Sequence, residues 1–165
     1  MMAVHSLKTI QTIPVSMEQA WDFFSSPVNL VAITPERLDF RIISLHHGEH
    51  MYPGQIIEYT VRPLWGIAWY WMTEITHVEQ GRYFVDEQRY GPYILWHHQH
   101  HFREVPGGVE MTDIVHYKVP GWWVGDVLNA VLIRKELQEL FRYRYEKVVE
   151  RFGGWEGQEC VVRFK

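Results

Sequence analysis

Four of the five residues from His97 to His101 are histidines, set in the stretch WHHQHHF from Trp96 to Phe102. Imidazoles at this density point to metal ligation, proton transfer near neutral pH, or the polar lining of a pocket. The surrounding pattern splits the four. Residues 93–104 alternate as a strand, which puts Ile94, Trp96, His98, His100 and Phe102 on one face. Leu95, His97, Gln99, His101 and Arg103 take the other. The first set is the more apolar, so His98 and His100 are expected inside and His97 and His101 on a solvated face. His46, His47 and His50 read as loop residues.

The neighbouring segments supply partners for the inward pair. On 109–119 the inward face is Val109, Met111, Asp113, Val115, Tyr117 and Val119. On 82–90 it is Phe84, Asp86, Gln88 and Tyr90. On 67–79 it is Ile67, Trp69, Trp71, Thr73 and Ile75, and on 54–62 it is Ile57, Tyr59 and Val61. Arg144 falls between Phe141 and Val148 on an apolar helical stripe.

The interior is thus expected to hold Asp86, Gln88, His98, His100, Asp113 and Arg144 among aromatic side chains. Buried polar groups must be paired with each other, with water or with a ligand. Three readings follow. The favoured one is a ligand pocket. Trp69, Trp71, Trp96, Phe102, Phe141 and Tyr117 form its walls, with Tyr59 and Thr73 on the same faces. His98, His100, Gln88 and Arg144 orient a polar or anionic head group, with Asp86 and Asp113 beside them.

The second reading is a general acid–base pair, His98 or His100 with Asp86 or Asp113, assisted by Tyr59 or Tyr117. No nucleophile motif accompanies it, and no catalytic residue is assigned. The third is a protein-interaction module whose interior polar network is internally satisfied and only fixes strand register; an exposed aromatic patch would favour it. A metal is not expected. His98 and His100 could chelate with Asp86 or Asp113, but no further His or Cys has ligand spacing, and Arg144 would repel a cation. No cofactor is expected either.

The elements that must position these groups follow from punctuation and periodicity. Residues 4–13 read as a strand ended by Pro14. Ser16 and Gln19 form a capping box for a helix over 16–25. PVNLVAITP (27–35) reads as a second short helix. Strands are expected at about 38–46, 54–62, 67–79, 82–90, 93–104 and 109–119, separated by Gly and Pro. A long helix runs from Gly125 to about Phe152, with Ile133, Leu137, Leu140, Phe141, Val148 and Phe152 on one stripe. Gly153-Gly154 stops it. Trp122-Trp123 before it read as core or as a gate over a cavity mouth. This predicts an α+β chain of about seven antiparallel strands curved around one long helix, a single domain over 1–154, and a tail, 155–165, that packs as a strand or hangs free.

With 165 residues, 47% of them hydrophobic, the chain can bury a real core. A net charge of -4 without basic runs argues against nucleic-acid binding. The lone Cys160 excludes an intrachain disulfide. The longest apolar run, PLWGIAWYWM, is about ten residues, against about 20 for a membrane span. No signal peptide is evident, and a cytoplasmic protein is expected. The sequence says nothing of a protein partner.

The stretches PVNLVAITP (27–35), MYPGQIIEYTVRPL (51–64), WMTEI (71–75), FVDEQRYGPYILWHHQHHF (84–102), MTDIVHYKVP (111–120) and LFRYRYEKVVERFG (140–153) together resemble the ligand-binding SRPBCC domain group. That group lies within the START/Bet v 1-like superfamily, which includes polyketide cyclases/dehydratases and lipid-transfer domains. The resemblance implies a helix-grip fold and a cavity for a small hydrophobic molecule, such as a lipid, a quinone or a polyketide-like compound. It does not name a ligand or a reaction.

Overall fold

The computed structural model describes residues 4–44, 48–62, 66–121, 127 and 132–165. The expectations for His46, His47, Trp122-Trp123 and the start of the long helix at Gly125 lie outside the described residues.

Strand β1 (His5–Ile13) leads into helix α1 (Met17–Phe24). The capping box forms as the sequence implies. Ser16 Oγ accepts from the Gln19 amide, and Gln19 Oε1 accepts from the Ser16 amide. The helix buries Ala20, Trp21, Phe23 and Phe24.

Residues Pro27–Ile33 form a 3-10 turn rather than an α-helix. Proline at its start and β-branched Val28, Val31 and Ile33 disfavour a longer regular helix. A second 3-10 turn, Glu36–Leu38, ends at Asp39. Asp39 has φ 42° and bridges Arg41 and Arg62 at 2.7 and 2.9 Å. This left-handed corner cuts the strand expected over 38–46 down to β2 (Arg41–Ile42).

Five long strands follow: β3 (Gln55–Val61), β4 (Trp69–Glu79), β5 (Tyr83–Tyr90), β6 (Leu95–Val105) and β7 (Gly108–Lys118). Helix α2 (Arg134–Phe152) comes next, then β8 (Val162–Phe164). The sheet order is β2-β3-β4-β5-β6-β7-β1-β8, antiparallel throughout.

Helix α2 packs on the inner face of this sheet. Leu137 and Phe141 join Leu7, Trp71, Trp96, Val115 and Tyr117 in one cluster. Val148 joins Ile13, Phe84, Phe102 and Val109 in the other.

The tail is thus part of the sheet, since β8 pairs with the edge of β1 through Leu7–Phe164 and Thr9–Val162. Thr12 donates to Gln158 and Tyr145 donates to the Gln158 carbonyl. Deleting 155–165 uncovers the β1 edge and the half-buried Val162 and Phe164. The expected loss is about 2 kcal/mol in urea unfolding, with more aggregation from the bared strand. Unchanged stability would make the tail an appendage.

Candidate functional site

Inward alternation holds along the centres of β4, β6 and β7, whereas on β5 Val85, expected outward, is buried next to Phe84. On β7, Val109, Met111, Asp113, Val115 and Tyr117 are buried; on β6, so are Trp96, His98, His100 and Phe102. The register then sets the chemistry. Asp86 on β5 lies opposite His98, and Asp113 on β7 lies opposite His100. Each histidine hydrogen-bonds to the carboxylate diagonal to it. His98 Nε2 is 2.9 Å from Asp113 Oδ1, and His100 Nε2 is 2.8 Å from Asp86 Oδ2. The two imidazoles face each other with centroids 3.7 Å apart. Arg144 Nη1, from α2, stands 3.9 Å from Asp113 Oδ1.

Burial opposes charge on His100, but the nearby carboxylates of Asp113 and Asp86 prevail and raise its pKa. Burial and the charge of His100 outweigh the carboxylates at His98, whose pKa is lowered. Asp113 overcomes its burial through both histidines and is held well below the usual carboxylate range. Asp86 overcomes its own through His98, His100 and Arg144 and is also lowered. The two carboxylates thus face two imidazoles and one guanidinium, and His100 holds a proton more readily than His98. Two buried nitrogens of the cluster have no aligned hydrogen-bond partner among the described residues: Arg144 Nε, and His100 Nδ1, which lies 2.9 Å from Asp113 Oδ1.

Beside the cluster a cavity of about 150 Å³ opens between β3–β6, the 3-10 turns and α2. Eight of the residues expected at a site line it: Tyr59, Trp71, Thr73, Asp86, Trp96, His98, His100 and Arg144. Tyr59 Oη and Thr73 Oγ1 share a 2.8 Å hydrogen bond. Burial and the charge of Asp86 push the Tyr59 pKa up, which keeps it protonated. Trp71 is only 8% exposed, and its Nε1 has no hydrogen-bond partner among the described residues.

Six expected residues do not line the cavity. Trp69 has the inward parity but is 44% exposed, and Ile67 is 54% exposed; alternation fixes which face a side chain takes, not whether anything covers it at a strand end. Tyr90 and Ile94, at 63% and 51%, fail for the same reason. Gln88 is spent locally, donating to the Tyr93 carbonyl and accepting from its amide across the β5–β6 turn. Phe102 packs into the core with Trp21 and Phe24. Tyr117 and Phe141 are buried walls behind the cavity, and Asp113 sits behind the histidines.

On the outer face, Glu87, His97, Gln99 and His101 form a half-buried hydrogen-bonded ladder.

Alternation could not find Leu30, Thr34, Leu38, Phe40, Met51 or Tyr93, which line the cavity from turns and loops. Leu137 and Leu140 were visible on the helical stripe.

No protein-family model matches the sequence, and no curated protein matches it. Solved structures do. The chain is similar to protein CV1439 from Chromobacterium violaceum, with TM-score 0.66, 12% identity, and coverage of 91% of this chain and 98% of that one. For major latex-like protein 151 from Panax ginseng the values are 0.62, 12%, 90% and 97%. For Ara h 8.0201 they are 0.60, 16%, 90% and 99%. Among the described residues, no helix is long and apolar enough to cross a membrane. At such identities the likeness is one of architecture: an antiparallel sheet closed on a long C-terminal helix, the helix-grip fold of the Bet v 1-like proteins.

Proposed function

We propose that the protein binds one small apolar molecule non-covalently in the cavity between sheet and helix. The observation that carries this reading is an aromatic cavity with a polar end. Tyr59, Trp71, Tyr93 and Trp96 give apolar walls, and Asp86, His98 and His100 give a charged floor. The volume of about 150 Å³ matches an engineered apolar cavity that takes up benzene. A single substituted ring fits, such as a monocyclic quinone or an aromatic polyketide-like fragment. A long acyl chain needs the lining to move.

The buried Trp71 N–H adds a polar preference. A donor left unpaired in an apolar wall costs free energy that an oxygen on the guest recovers. Trp71→Phe is therefore expected to weaken oxygenated guests about fivefold, the worth of roughly 1 kcal/mol, and to leave their apolar analogues unaffected. Thermal-shift screening with phenols, quinones and their deoxygenated analogues reads this, with native mass spectrometry of protein from its host. Absence of any retained or stabilising guest of this class would sink the proposal.

One observation favours a second reading. His98 and His100 each touch a carboxylate and also face the cavity. Such a pair can shuttle a proton during cyclisation or dehydration of a bound ring precursor. Full turnover by His98→Ala and His100→Ala on a substrate, once found, would exclude it.

A further inference from the structure

Asp86, His98 and His100 meet a stricter condition than head-group binding requires. One donor atom from each lies within 4.8 Å of the other two. Asp86 Oδ2 is 2.8 Å from His100 Nε2 and 3.5 Å from His98 Nδ1. Around an ion with bonds of about 2.1 Å, tetrahedral ligands stand ~3.4 Å apart and octahedral neighbours ~3.0 Å apart. The two observed separations bracket those values, and the third, between the two histidine nitrogens, is within 4.8 Å, so side-chain rotations admit an ion.

The groups behind the three are also those a metal site needs. A ligating imidazole usually presents its second nitrogen to a carboxylate. Here one carboxylate stands at both rings: Asp113 Oδ1 is hydrogen-bonded to His98 Nε2 at 2.9 Å and lies 2.9 Å from His100 Nδ1, where a ring rotation would align a second bond. Asp86, His98 and His100 line the cavity and Asp113 does not. Free coordination positions would therefore open on the cavity.

His98 Nδ1 and Asp86 Oδ2 stand 3.5 Å apart, the spacing of two ligand atoms with an ion between them. The two sequence arguments against a metal also weaken. The third ligand arrives from a different strand, β5, where spacing along the chain cannot show it. Arg144 is matched by Asp113 at 3.9 Å and lies over the Phe141 ring.

We propose that Asp86, His98 and His100 bind one divalent transition-metal ion, with Asp113 holding both imidazoles and the free coordination positions facing the apolar cavity. Two imidazoles and one carboxylate suit zinc or iron(II) better than magnesium or calcium. With neutral imidazoles, the ion, Arg144 and two carboxylates sum to one positive charge. A guest with one anionic oxygen, such as a phenolate or carboxylate, neutralises it. That last step rests on the proposed binding function; the metal site does not.

The test is titration of tag-free, chelator-stripped protein with Co²⁺ and Zn²⁺ in the absence of any guest. One ion per chain and visible d–d bands are expected with Co²⁺. His98→Ala, His100→Ala and Asp86→Asn should each lower affinity 100-fold or more, and Asp113→Asn about 10–100-fold. His97→Ala and His101→Ala should leave it unchanged. Where a variant fails to fold, side-chain imidazole ¹⁵N shifts of the wild-type protein answer the same question: Zn²⁺ should move His98 and His100. No stoichiometric uptake, or shifts confined to exposed histidines, overturns the proposal. Guest screening in chelator buffer stays separate, so either reading can fail alone.

Discussion

Asp113→Ala is expected to destabilise the fold by about 3–5 kcal/mol, because it leaves buried positive charge without its main counter-charge. Asp113 is 5% exposed. Its carboxylate touches His98 Nε2, His100 Nδ1 and, at 3.9 Å, Arg144. Removing it strands a guanidinium and a histidine whose protonation Asp113 and Asp86 together favour. Asp86→Ala should cost less, since its side chain is 16% exposed and lines the cavity, where other polar groups can reach the imidazoles. Urea unfolding in chelator buffer gives both values.

The pH dependence has a definite sign. The folded pKa of Asp113 is depressed, so its contribution is complete above the unfolded value of about 4 and is lost as pH falls through the folded value. Asp113→Asn should flatten that acid limb. Replacing Asp86, His98, His100, Asp113 and Arg144 together by apolar residues of similar volume should restore most of the stability, because no buried charge is then left unpaired. If that variant were as unstable as Asp113→Ala, the loss would lie in shape rather than in charge.

The polar cluster was legible in the sequence because strands alternate strictly. Val109 through Tyr117 fixed the phase of β7, and Trp96 and Phe102 fixed that of β6. What alternation cannot supply is register. Only the pairing of Asp86 with His98 and of Asp113 with His100 turns four inward residues into a diagonal lattice. Nor can it say where cover ends, which is why Trp69 and Tyr90 are exposed at strand ends despite correct parity. Gln88 shows a third limit: a polar side chain two residues before a turn has its own backbone to satisfy. The tail could be read either way from sequence, and its pairing with β1 comes from an edge that needed covering.

Phe84→Ala should produce the other large loss, about 3–5 kcal/mol for truncating a buried ring, and part of that loss should be recoverable by a ligand. Phe84 is 2% exposed and stacks on His100 at 4.1 Å, edge-on to Trp21 at 6.0 Å. It also lines the cavity, so the space left by the ring joins one that already exists. A small aromatic guest can then replace the lost contacts and raise the melting temperature of the variant more than that of the wild type. Phe102→Ala is the control. Phe102 is equally buried and packs on Trp21 and Phe24, but it does not line the cavity. Its loss should match in size, and the same guest should leave it uncorrected. Equal rescue of both variants would mean that the guest enters the core at large; rescue of Phe84→Ala alone ties the cavity wall to the ring that holds His100 in place.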